Sequence, residues 1–130
     1  MKASLQLKVS EEDIDELGHV NNAVYVTYLE EGREAWYKQS AGMSFADMME
    51  KALGTVVVKL EISFIKEAVL GDELTVVTTP ETVGTKSFVL KQQIFNSNDE
   101  IITEAIVTSV MFDLKNRKSI PVIEEIRNHG

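Results

Sequence analysis

A single change of hydrophobic period divides this chain. From Asn22 to Ser40 the apolar residues recur at helical spacing, whereas beyond Gly54 they alternate almost to the end. Tyr25, Tyr28, Leu29, Gly32, Ala35 and Trp36 fall on one helical face. Glu30, Glu31, Glu34 and Lys38 fall mostly on the other, with Glu34 and Lys38 in the favourable i,i+4 order. Such a helix spans roughly 28 Å. Its apolar face needs a cover, and the strands are the only large apolar surface available. Gly32 in mid-helix costs about 1 kcal/mol relative to alanine, which predicts close approach of the sheet at that point.

The strands can be placed by their punctuation. Ala3, Leu5, Leu7 and Val9 alternate with Ser4, Gln6, Lys8 and Ser10, and form a first strand ahead of the helix. After Gly42, Ser44 with Asp47 three residues on resembles a capping box, so a second short helix is expected, ending at Gly54. Val56, Val58, Leu60, Ile62 and Phe64 then alternate up to a Gly71-Asp72 turn. A β-branched run covers Glu73 to Thr79, Gly84 breaks it, and strands near Lys86–Asn96 and Ile101–Leu114 flank a Ser97-Asn98-Asp99 tip. Sequential strands joined by short turns predict an antiparallel sheet. The expectation is an α+β fold: five strands curved around one long central helix, with residues 1–130 as one domain.

Composition removes several function classes. With no cysteine in the chain, a disulfide scaffold, thiolate metal site, iron–sulfur cluster or cysteine nucleophile is excluded. Thirteen basic residues against 21 acidic ones give a net charge of −8, which disfavours nucleic acid as a partner because a polyanion binder needs a basic face. No apolar run approaches the ~20 residues of a membrane span, and Met1-Lys2-Ala3-Ser4 leads into alternating sequence rather than a signal-peptide core. A cytoplasmic location is expected.

One segment combines unusual chemistry: Asp13-Ile14-Asp15-Glu16-Leu17-Gly18-His19-Val20-Asn21-Asn22, directly before the long helix. Each member has an ordinary structural explanation. Asn21 or Asn22 is a good N-cap, Asp13 and Asp15 suit the positive helix end, and Gly18 suits a turn. The second histidine, His129, lies one residue from the C-terminus.

Taken together, the segment and the following Tyr25 and Tyr28-Leu29-Glu30-Glu31-Gly32-Arg33 resemble the acyl-coenzyme A thioesterases of the hotdog fold, in the 4-hydroxybenzoyl-coenzyme A thioesterase-like branch. Ile62 to Leu74 resembles that family's strand and Gly-Asp turn, and the resemblance covers nearly the whole chain. Gly32 stands where alanine is common, and Ala68-Val69 replaces a frequent proline-containing pair. The resemblance implies a sheet wrapped around a central helix, edge-to-edge dimers, and active sites at the subunit interface. It assigns the catalytic carboxylate to Asp15, four residues before His19. It assigns the oxyanion-stabilising backbone amide to Asn22 or its neighbour. In this scheme His19 orients Asp15, water or substrate, and Asp13 is support.

The chemistry these residues offer is thioester hydrolysis. Free amides and the positive dipole end at a helix start stabilise a developing oxyanion. Asp15 acts as general base on a water or attacks the carbonyl itself. Neither a metal nor a cofactor is called for. The expected substrate is an acyl-CoA thioester, and the expected assembly a homodimer or homotetramer, since an open sheet leaves edges that are normally covered. Lys115-Asn116-Arg117-Lys118, Lys66 and Lys86 are candidate cations for coenzyme A phosphates. An acyl-(acyl carrier protein) thioesterase and a non-catalytic acyl-CoA-binding protein are the alternatives. The negative charge weighs against an acidic carrier, and Asp15 with His19 weighs against simple binding. A hotdog dehydratase is disfavoured, because its histidine belongs to a proline-rich loop.

Overall fold

A computed structural model describes residues 2–128; His129 lies outside the described residues. Strand β1 (Ala3–Lys8) is followed by a 3₁₀ turn (Glu11–Asp13), a loop, and helix α1 (Asn22–Trp36), which a π-helical turn (Tyr37–Ala41) prolongs. Then come α2 (Phe45–Glu50), β2 (Leu53–Phe64), β3 (Glu73–Val83), β4 (Ser87–Phe95), β5 (Ile101–Asp113), the two-residue β6 (Lys118–Ser119) and the short α3 (Glu124–Arg127). The period change therefore marks the architecture correctly. Strand β6 and helix α3, both too short to carry a period, were not foreseen.

The sheet is antiparallel and curls around α1, with strand order β1-β3-β4-β5-β2 and β6 added beside β5. Curvature comes from irregularities in the ladders, between Val57 and Lys59 on β2, Pro80 and Thr82 on β3, and Ile94 and Phe95 on β4. Bulges of this kind bend a strand and increase its twist. Pro80, which has no N–H to give, sits beside one of them. Gly32 lets the helix meet the concave face: a Cβ there would lie 2.5 Å from Val76 Cγ1 and 3.1 Å from Gln92 Nε2. The anticipated close approach is real.

Two expectations need correction. Helix α2 has the Ser44–Asp47 capping box, but it stops at Glu50. The left-handed residue after it is Ala52, at φ +57°, while Gly54 already belongs to β2. Further, β2 and β3 are successive in the chain but not neighbours. Strand β2 pairs with β5 along nearly its whole length, and β3 lies between β1 and β4. Local turn signals cannot distinguish a hairpin from a crossing connection, and residues 65–72 form such a crossing.

Two apolar clusters fill the space between helix and sheet. One surrounds the first half of α1 through Tyr25, Tyr28, Leu29, Val76, Ile94 and Val107. The other surrounds Trp36 and Tyr37, with Met48, Phe88, Leu90, Met111 and Ile126. Among the described residues no helix is long and apolar enough to cross a membrane.

Candidate active site

The motif segment folds into a tight loop that delivers the chain to α1. Ile14 and Val20 form an antiparallel bridge. Asp15 N–H donates to His19 O (3.1 Å), Gly18 N–H to Asp15 O (3.1 Å), and Asn21 N–H to Asp13 O (3.0 Å). Gly18, at φ +84°, makes the reversal that an L side chain would resist. The loop is thus held by its own backbone before any ligand arrives.

Asn21 is the N-cap. Its side chain accepts Ala23 N–H at 2.8 Å and its carbonyl accepts Val24 N–H at 2.9 Å. Among the described residues, Asn22 N–H has no partner. Of the unpaired amides every helix start presents, this one remains available, backed by the dipole of α1. The cap and the candidate oxyanion donor are therefore adjacent residues with separate tasks.

The crossing segment 65–72 closes over this helix end. Val20 N–H donates to Ala68 O at 2.9 Å, and Ala68 N–H donates to the Tyr25 hydroxyl at 2.9 Å. A small cleft of about 170 Å³ results, lined by His19, Asn22, Tyr25, Phe64, Ile65, Lys66 and Glu67. Tyr25 and Phe64 stack in a tilted arrangement at 5.6 Å. Burial raises the Tyr25 phenol above its ordinary value; the Ala68 amide opposes that, and the charges of Glu67 and Asp72 add to it. Tyr25 is a neutral O–H donor at physiological pH.

The predicted site residues are distributed as follows. His19 and Asn22 share the cleft, with His19 Nδ1 3.1 Å from Val20 O. Asp15 sits beside it in the loop but is not among the lining residues; its Oδ1 accepts Leu17 N–H at 2.9 Å. Asp13 is engaged elsewhere, accepting the Tyr28 hydroxyl at 2.7 Å and the Ser10 hydroxyl at 3.2 Å. Partial burial pushes the Asp13 carboxyl up, and the bonds from Tyr28 and Ser10 more than reverse it, so it titrates below the usual carboxylate value. These bonds tie the loop through Asp13 to α1 and to Ser10, just past the end of β1.

Among the candidate cations, Lys66 lines the cleft and is paired with the Glu100 carboxylate. The Lys115–Arg117 turn lies at the far end of β5, where Asp113 pairs with Leu53, whereas the cleft lies near the Phe64–Thr103 pair. Glu67 and the Tyr25 hydroxyl were not recognised as site residues from the sequence. In the sequence Tyr25 reads as helix-face core, and Glu67 lies unmarked within the stretch Ile62 to Leu74.

A curled antiparallel sheet around one long helix is the hotdog architecture of thioesterases. The chain belongs to the Thioesterase-like superfamily, whose model matches residues 9–129. It is 34% identical over 123 residues to the long-chain acyl-CoA thioesterase FadM of Escherichia coli, covering 94% of this chain and 92% of that protein. The chloroplastic acyl-acyl carrier protein thioesterase ATL2 of Arabidopsis thaliana is 31% identical, over 87% of this chain and 60% of that protein. The crystal structure of YbaW, a probable thioesterase from Escherichia coli, superimposes with a TM-score of 0.81 at 31% identity, covering 98% and 95% of the two chains.

Proposed function

We propose that this protein hydrolyses acyl-CoA thioesters to the free acid and coenzyme A. The observation that carries the reading is the unpaired amide of Asn22 at the start of α1, a residue that lines one cleft with His19 and with the rings of Tyr25 and Phe64. A thioester carbonyl placed there meets a preorganised donor and the positive end of a helix dipole, which stabilise the tetrahedral oxyanion. Asp15 supplies the carboxylate, acting on the carbonyl directly or through a water, and His19 orients the reacting groups. Exposed Phe64 and Ile65 offer the acyl chain an apolar wall.

Charge weighs mildly against a carrier protein. A net charge of −8 repels an acidic carrier. The likeness to FadM, which covers nearly all of both chains, supports the same choice. Release of free thiol from a panel of acyl-CoA and aromatic thioesters tests the activity. No hydrolysis of any member refutes it.

The working unit in this reading is a homodimer, alone or paired into a tetramer. Strand β2 is hydrogen-bonded on one side only, by β5. It exposes Val56, Val57, Val58 and Phe64, each at least 40% accessible, with Ile65 just beyond. Such an edge is normally paired or blocked. Antiparallel pairing of two β2 strands about a two-fold axis covers it and brings the two clefts together. Light scattering at micromolar concentration is expected to give at least a dimer; an active monomer refutes the shared-site arrangement.

A further inference from the structure

The segment preceding the helix was expected to hold the reactive carboxylates, yet the carboxylate that lines the cleft is on the crossing segment. Around the start of α1, Asp13 is engaged by Tyr28 and Ser10, and Asp15 accepts the Leu17 amide. Lys66, the nearest cation in sequence, is held by Glu100, whose other oxygen accepts the Asn96 amide. Glu67 is left without a hydrogen bond or ion pair among the described residues, in a cleft shared with the free Asn22 amide and with His19. Tyr25, in the same cleft and only 3% exposed, accepts Ala68 N–H, while no acceptor among the described residues takes its own proton. A residue with a free acceptor and a residue with a free donor thus line one small cleft. That is the pair of partners an ordered water needs.

We propose that Glu67 is a catalytic residue of the hydrolysis, taking the proton from the attacking water while the Tyr25 hydroxyl donates to that water's oxygen. The assignment rests on the thioesterase reading and divides its chemistry between two carboxylates. With Glu67 serving the water, Asp15 makes the direct attack. An Asp15 oxygen bonds to the carbonyl carbon, the C–S bond breaks, and coenzyme A leaves as the thiolate with a mixed anhydride behind it. Water then adds to the acyl carbon and gives one proton to the Glu67 carboxylate. The anhydride C–O bond breaks, which restores Asp15 and releases the acid. The proton on Glu67 passes to the thiolate, and all groups return to their starting states.

Glu67 is exposed and bonded to nothing its replacement would orphan, so Glu67→Gln is expected to fold with a wild-type melting temperature. It should release about one thiol per site in a burst, then turn over roughly 10²-fold or more slowly, the loss typical of a missing general base. Intact-mass analysis during the slow phase should find the acyl group, located by digestion on the peptide carrying Asp15. Glu67→Asp should recover part of the steady-state rate. Tyr25→Phe should slow the same phase several-fold. A Glu67→Gln variant turning over at the wild-type rate overturns the assignment, as does a slow variant with neither burst nor adduct. Wild-type protein that hydrolyses no thioester refutes the thioesterase reading itself, and the role of Glu67 with it.

Discussion

The two halves of the central helix make opposite use of the same backbone. At its C-terminal end Trp36 and Tyr37 are 0% and 1% exposed. The π-helical turn runs on to Gly42 at φ +71°, and Met43 N–H returns to Tyr37 O. Side chains from β4, β5, α2 and α3 close around that end. At the N-terminal end Asn21, Asn22 and Ala23 are exposed, and the Asn22 amide is unmatched. One end is committed to packing, and the other keeps a donor free beside a cleft. With the proposed function, the difference separates stability from chemistry along a single element, and it predicts which substitutions affect which property.

The strongest test truncates the packed end. Trp36→Ala should cost about 3–5 kcal/mol, read from urea denaturation. Turnover per folded molecule should be unchanged, because Trp36 lies far along α1 from Asn22. A fall in kcat of the folded fraction would break the proposed separation. At the open end, Asp15→Asn should lower kcat roughly 10²–10⁴-fold with a much smaller change in KM. Its melting temperature should stay near that of the wild type, as for other substitutions outside the core.

A third variant probes the middle of the helix, where the two behaviours meet. Gly32→Ala gains about 1 kcal/mol of helix propensity but forces a methyl against Val76 and Gln92, which costs about 1–3 kcal/mol. A small net loss of stability is expected by thermal melting, with kcat retained.

The smallest effect concerns the tie between loop and helix. Asp13 has its folded-state value depressed below the ordinary carboxylate value by the bonds from Tyr28 and Ser10. Its contribution is therefore fully present above the unfolded value and is lost as pH falls through the folded one. Asp13→Asn should lower stability by about 1 kcal/mol at neutral pH. It should also flatten the pH dependence of melting below about pH 4. A variant whose acid limb matches the wild type would show that the Tyr28 bond contributes nothing to holding the loop.

What could be read in advance depended on how local each signal was. The helix over Asn22–Ser40, the Ser44–Asp47 cap and the Gly32 contact are written in short spacings, and the structure has all of them. The pairing of β2 with β5 joins Phe64 to Thr103 with all of β3 and β4 between them in the chain, and nothing within a window of a few residues encodes it. The same limit applied at the site. His19 and Asn22 adjoin in sequence as they do in space, so their association was legible. Glu67 reaches the cleft only because the connection after β2 crosses the helix end. Until that crossing is known, a glutamate in Lys66-Glu67-Ala68 is an ordinary surface residue.

That crossing has a further consequence. Ala68 is buried, and both its amide and its carbonyl are bonded to the helix entry, while Ile65 and Lys66 N–H donate to Ile102 O and Gly71 N–H to Val9 O, so the backbone of the segment is tied at its middle and at both ends. Its neighbours Ile65, Lys66, Glu67, Val69 and Leu70 all turn their side chains to solvent, and Ile65 to Glu67 also line the cleft. Glu67 apart, for which a catalytic role is proposed above, mutation can therefore replace them with little penalty to folding. If the proposed function holds, the segment is a region of high evolvability in this chain, where the side chains beside the cleft can change on an unaltered scaffold.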